Sequence, residues 1–159
     1  MYWKWEPSYS VGIEVIDHQH KQLIEYMNEL SIAGMYKSFE NRQKVQAVLE
    51  KLVDYTVSHF SFEEQLMEDA GYPILEPHKK VHESFVKRVA FFKERFENGE
   101  DITKQLIMDL QLWLINHIQK DDADYKDLVQ KALLKKKISP TDEAKKDKWL
   151  RSLVKKFFK

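Results

Sequence analysis

Only four glycines and four prolines interrupt 159 residues, so the chain has few places to break and is committed to long helices. The breaks are Gly12, Gly34, Gly71-Tyr72-Pro73, Pro77, Asn98-Gly99 and Ser139-Pro140. They delimit four segments. The first covers about 17–37, with Leu23, Met27 and Leu30 on one stripe and Ile24 beside it. The second covers about 41–69, where Val45, Val48, Leu49, Leu52, Val53 and Thr56 recur at steps of three and four. The third starts at Ile74 or Glu76, tolerates Pro77 in its first turn and reaches Phe96. The fourth starts at Asp101 or Ile102 and carries Leu106, Leu110, Trp113, Leu114, His117 and Ile118. No strand-like alternation and no solenoid repeat competes with this pattern. Short connections favour antiparallel neighbours, which predicts an all-α, up-down-up-down antiparallel four-helix bundle.

A hydrophobic fraction of 43% suffices for one core without staples. The chain has no cysteine, so disulfides, iron-sulfur clusters and thiolate zinc sites are excluded, and any metal must be held by nitrogen and oxygen. No apolar run approaches the roughly 20 residues needed to span a bilayer. The opening Met1-Tyr2-Trp3-Lys4-Trp5-Glu6 lacks an apolar signal core, so a cytoplasmic location is expected.

Five of the six histidines form a spaced set with carboxylates: His20, His59-x3-Glu63, His78-x3-His82, and His117 followed by Asp121 and Asp122. Residues four apart on a helix share a face, so His59/Glu63 and His78/His82 can each act as a pincer. One such pair alone would more often be a surface contact. Donors on four separate helices are another matter, because in an up-down bundle the starts of the first and third helices and the ends of the second and fourth lie at one end. Five imidazoles and two carboxylates exceed the needs of one ion and suit two ions if the carboxylates bridge. Iron is favoured by ligand type, although manganese and zinc accept the same donors. The ferritin-like alternative, with four Glu and two Glu-x-x-His steps, is absent; the chain has only Asp17-x-x-His20. Neutral imidazoles leave the site net positive, which tilts it from high-valent oxidation toward reversible electron exchange with a small diatomic ligand.

Several stretches carry a resemblance: Ile16-Asp17-His18-Gln19-His20-Lys21, His59-Phe60-Ser61-Phe62-Glu63-Glu64, His78-x3-His82-x2-Phe85 and Trp113-Leu114-x2-His117-Ile118-x3-Asp122-x2-Tyr125. Together with Trp5-x3-Tyr9-x-Val11-Gly12-Ile13, they closely resemble the bacterial hemerythrins over roughly residues 3–130. The resemblance implies a non-haem di-iron centre with a bridging hydroxide or oxide that binds O2 reversibly. It implies that His78, His82 and His117 hold one iron, that His20 and His59 hold the other, and that Glu63 and Asp122 bridge them. The two-histidine iron would keep the open position.

Regular helix geometry disagrees at one point. Asp121 is i+4 from His117 and shares its face, whereas Asp122 is i+5, about 140° around an ideal helix. The resemblance selects Asp122, because Tyr125 then falls in its matching place. His18 is two residues from His20 and is expected to face solvent. Reversible binding also needs a dry shell, for which Phe60, Phe62, Phe85, Trp113, Leu114 and Ile118 are candidates. Leu114, Ile118, Trp113 and Phe60 are the O2-pocket set, and Leu114 matches the family leucine facing the ligand.

The zero net charge hides two opposed blocks. Residues 133–159 hold ten Lys/Arg and three Asp/Glu, a net of +7, leaving −7 on residues 1–132. This divides the chain into a bundle, 1–132, and a basic extension, 133–159. Within the extension, Trp149, Leu150, Leu153, Val154, Phe157 and Phe158 alternate with basic residues, the pattern of a C-terminal basic amphipathic helix. Such a helix suits an anionic membrane surface, a protein groove or the chain's own acidic bundle. No nucleic-acid recognition motif accompanies the charge, so no nucleic-acid partner is expected. The leading functional expectation is a non-enzymatic O2 carrier, store or shuttle. The alternatives are an oxygen or redox sensor acting through the C-terminal helix, and a di-iron enzyme reducing peroxide or nitric oxide.

Overall fold

The computed structural model describes residues 3–35, 38–135 and 151–158, with the backbone alone described for 121–124 and 132–135. All regular structure among these residues is helical. Helix α1 is Glu14–Ala33, α2 is Phe39–Asp69, α3 is Leu75–Glu97 and α4 is Thr103–Asn116; a π-helical turn, His117–Asp122, joins α4 to α5, Ala123–Lys135. The run from α4 through α5 is the fourth arm of the bundle. Helix α1 packs on α2 and α4, and α3 packs on α2 and α4, closing the four-helix arrangement that the short connections predict. None of the described helices is long and apolar enough to cross a membrane.

The ends of these helices have local causes. Ser38 caps α2, its hydroxyl accepting from the Asn41 amide at 3.1 Å. Gly71 stands at φ +73° just past α2 and lets the chain reverse: the Tyr72 amide reaches back to the Met67 carbonyl and the Gly71 amide to that of Glu68. Gly99, at φ +92°, ends α3 in the same way, with Glu100 donating to Arg95 and Gly99 to Phe96. Pro77 sits in the first turn of α3, where its missing N–H has no helical partner to lose. Helix α1 begins three residues before its expected start and stops at Ala33; the expected continuation through 36–37 lies outside the described residues.

Each long helix turns one line of residues inward. On α1 the line is Ile16, His20, Leu23, Met27 and Leu30; on α2 it is Val45, Leu49, Leu52, Thr56, His59, Glu63 and Leu66. On α3 it is His78, His82, Phe85, Val89, Phe92 and Phe96. The metal-donor candidates therefore continue the apolar stripe rather than decorate a separate face. Burying each Leu contributes roughly 2 kcal/mol, whereas a buried imidazole or carboxylate costs free energy unless partnered. The apolar layers thus carry a polar one.

The N-terminal residues close the donor end. Trp3 and Asn28 exchange two hydrogen bonds, 2.8 and 2.9 Å, and the Val11 amide donates to Asp17 Oδ1 at 2.9 Å. The Pro7–Tyr9 turn lies against the π segment. Asp17, the acid of the Asp17-x-x-His20 step, is occupied in fastening this loop.

Candidate metal centre

Four helical arms deliver His20, His59, Glu63, His78, His82 and His117 to one layer, each 5% exposed or less. Their donor atoms fall into two groups, Glu63 with His78, His82 and His117, and Glu63 with His20 and His59; within each group all donor atoms lie within 4.8 Å of one another. Glu63 belongs to both. Its Oε1 lies 2.9 Å from His59 Nε2, 3.6 Å from His82 Nε2 and 3.8 Å from His117 Nε2. His82 Nε2 and His117 Nε2 are 3.1 Å apart. His18 is exposed, as its position two residues from His20 predicts.

The outer nitrogens decide what the inner ones can do. His59 Nδ1 donates to Gln19 Oε1 at 2.7 Å, and His82 Nδ1 donates to Glu64 Oε1 at 3.1 Å. With the proton fixed on Nδ1, each imidazole turns an Nε2 lone pair toward Glu63, the tautomer a metal requires. Burial pushes the His82 pKa below its ordinary 6.5 against the opposing pull of Glu64 and Glu63, which keeps the ring neutral. Burial alone would raise the Glu63 carboxyl, but positive charge and N–H donation from His59, His117 and His82 outweigh it and hold the group well below the usual carboxylate range, a role that bound cations would take over from the protons of those rings. Its other oxygen is held as well, since Tyr125 donates to Glu63 Oε2 at 2.6 Å. A fully buried anionic carboxylate ringed by lone-pair nitrogens fits a pair of cations.

Gln19, Glu64 and Tyr125 thus orient the donors. Tyr125 entered the sequence reading only as a marker of register. Gln19 and Glu64 lay inside the quoted motifs without a role, because a Gln or Glu on a helix reads as an ordinary surface residue. The only local signal was adjacency: Gln19 precedes His20 and Glu64 follows Glu63. Replacing Glu64 by Gln, which keeps shape but removes the anionic acceptor from His82, is expected to weaken iron affinity about 10- to 100-fold. Competition with a chelator measures it.

Of the aromatic candidates, Phe60, Phe85 and Trp113 lie on the three-histidine side, whereas Phe62 packs near Phe158. Phe60 stacks on His82, with centroids 3.9 Å apart and planes 6° from parallel, and Trp113 stacks on His117 at 4.5 Å. Phe85 packs on Trp113 at 4.0 Å. Phe60 and Trp113 therefore clamp ligand rings, while Leu114 and Ile118 are buried beside His117 in sequence, 1% and 2% exposed.

The backbone after His117 departs from the ideal helix assumed above. His117–Asp122 is a π turn, whose hydrogen bonds run i→i+5. The wider turn carries position 122 round toward the face of position 117, so that it no longer lies well off that face as it would in a regular α-helix. The side chains of both aspartates lie outside the described residues.

Residues 11–129 match the hemerythrin family, as the Hemerythrin HHE cation binding domain. The chain belongs to the hemerythrin family. A bacteriohemerythrin of Stenotrophomonas maltophilia is 46% identical over 154 residues, covering 97% of this chain and 96% of that protein. A bacteriohemerythrin of Clostridium acetobutylicum is 31% identical over 128 residues, spanning 77% of this chain but 98% of its own length. The solved structure of wild-type hemerythrin superposes with a TM-score of 0.75 at 27% identity, covering 81% of this chain and 98% of that one. This hemerythrin binds O2 at a di-iron centre, consistent with its two donor groups. Proteins of the hemerythrin family are oxygen-binding carriers rather than enzymes.

Proposed function

We propose that this hemerythrin serves as a cytoplasmic oxygen carrier, store or shuttle, with His78, His82 and His117 on one iron and His20 and His59 on the other. Glu63 would bridge the pair, and Asp122 would supply the second bridge. The observation that carries this reading is the sharing of Glu63 by both donor groups, one with three imidazoles and one with two. A two-imidazole iron is left with fewer protein ligands and so with room for O2. When bound, the two irons supply electrons that a small diatomic ligand takes up and returns.

The chain's own residues make that exchange reversible. Gln19 and Glu64 fix the rings of His59 and His82, so ligand binding requires no reorientation of either. Tyr125 holds the outer oxygen of Glu63 and leaves Oε1 to face the imidazoles. Leu114 and Ile118, one turn before and one residue after His117, supply apolar bulk that excludes water from the ligand position. Phe60 and Trp113 contribute by locking the rings they stack on.

Metal analysis joined to optical spectroscopy tests the proposal. Two irons per chain are expected, together with a visible absorption that appears when the reduced protein meets O2 and disappears when the O2 pressure is lowered. Fewer than two irons, or an absorption that removal of O2 does not reverse, would overturn it.

A further inference from the structure

The basic amphipathic pattern at the C-terminus raises a choice between an external surface and the bundle. Residues 151–157 are helical, and their two faces are sorted. Arg151, Ser152, Lys155 and Lys156 are exposed, while Leu153 is 6% exposed and Val154, Phe157 and Phe158 pack against the core of the bundle. The Phe158 ring lies 5.1 Å from Tyr55 and 6.0 Å from Phe62, and Tyr55 in turn lies 5.5 Å from Tyr26 of α1.

These positions matter because of where α2 carries its donors. Tyr55 stands one turn before His59, and Phe62 stands between His59 and Glu63, next to the latter. Phe158 therefore rests level with the donor layer, over the seam between α1 and α2, which bring His20 and His59. The three-histidine side is walled by Phe60, Phe85 and Trp113 from the bundle itself. Opposite charges, +7 on 133–159 and −7 on the remainder, favour the same docking.

We propose that residues 151–158 form a built-in strap across the α1–α2 seam, sealing the two-histidine side of the donor layer from water. The strap lies beyond the minimal family bundle, although the Stenotrophomonas maltophilia relative, matched over 97% of this chain, extends into the same region. The Hemerythrin match ends at residue 129, and the Clostridium acetobutylicum relative reaches nearly its full length while leaving about a quarter of this chain unmatched. The shorter relative lacks the corresponding stretch, so the circular dichroism of each strap variant is expected to match the parent's. Its consequence for iron rests on the di-iron reading above, whereas the docking itself does not.

Leu153→Asp and Phe158→Asp in the full chain place a charge on the docked face, and Phe158→Leu keeps that face apolar. Hydrogen exchange on the metal-free protein reads the seal directly. In the parent, amides of 151–157 are expected to be protected. In both Asp variants that protection is expected to vanish, with exchange around 55–62 of α2 at least threefold faster, and Phe158→Leu should stay near the parent. In the iron-loaded protein held in air, the Asp variants should lose at least threefold faster the absorption that lowering the O2 pressure reverses, because water reaching the site supplies two protons and the two-electron-reduced O2 leaves as hydrogen peroxide with both irons left as iron(III). An unprotected segment in the parent would overturn the proposal. So would released segments that leave both the α2 exchange and the oxidation rate unchanged. A failure of the di-iron reading would show separately, as a parent with fewer than two irons and an intact exchange pattern.

Discussion

Glu63→Gln is expected to empty the centre of both irons at once. Gln keeps the volume of Glu63 and its place on the inward line of α2, so the circular dichroism of the helices should be unchanged. What it removes is an anion that, among the described residues, belongs to both donor groups, lying 2.9 Å from His59 Nε2 and 3.6 Å from His82 Nε2. Two divalent cations in a buried layer repel one another, and a shared carboxylate is what screens that repulsion. An amide screens far less and turns N–H groups toward imidazole lone pairs. The loss of affinity should exceed the roughly 100-fold upper range for residues that only support a ligand. Iron analysis after gel filtration, with the visible spectrum in air, measures it. Retention of two irons per chain by this variant would mean that Glu63 does not bridge.

The aspartate pair gives the second large contrast. Asp122→Asn should abolish the O2-dependent absorption and lower iron content, whereas Asp121→Asn should leave both near the parental values. The two substitutions are chemically identical and adjacent in sequence, so general effects on charge or helix propensity cancel between them. The resemblance is the reason for the expected asymmetry, and the π turn over His117–Asp122 removes the geometric objection to Asp122. In a regular α-helix Asp122 would lie well off the face of His117; the wider turn brings it back toward that face, beside Asp121. The reverse outcome, a silent Asp122→Asn and a damaging Asp121→Asn, would move the second bridge by one residue.

This pair of aspartates also marks where sequence reasoning loses its grip. The spacing of His59 with Glu63 and of His78 with His82 could be read directly, because α2 and α3 are regular through those turns and a four-residue step means one face. Past His117 the rule fails, since a π turn changes the residues per turn without changing composition. The resemblance selected Asp122 where ideal geometry selected Asp121. Gln19 and Glu64 escaped for a different reason. Their chemistry comes from what stands opposite, His59 at 40 residues' distance and His82 at 18, and a polar helical residue does not announce a partner on another helix. The aromatic candidates were legible as core but not as clamps, because stacking of Phe60 on His82 depends on ring orientation across α2 and α3.

The sequence by itself determined the helical fold, the punctuation of that fold by Gly71 and Gly99, and the identity and depth of the histidine donors. Each of these follows from local backbone preference or from helical periodicity, which one stretch of chain carries alone. The tertiary structure decided the shared position of Glu63, the fixed tautomers of His59 and His82, the π turn after His117 and the seat of residues 151–158. Those depend on how separate helices approach one another, and an amphipathic face cannot specify which apolar surface it will cover. Here the bundle offered Tyr55 and Phe62, and residues 151–158 of the basic extension lie against them.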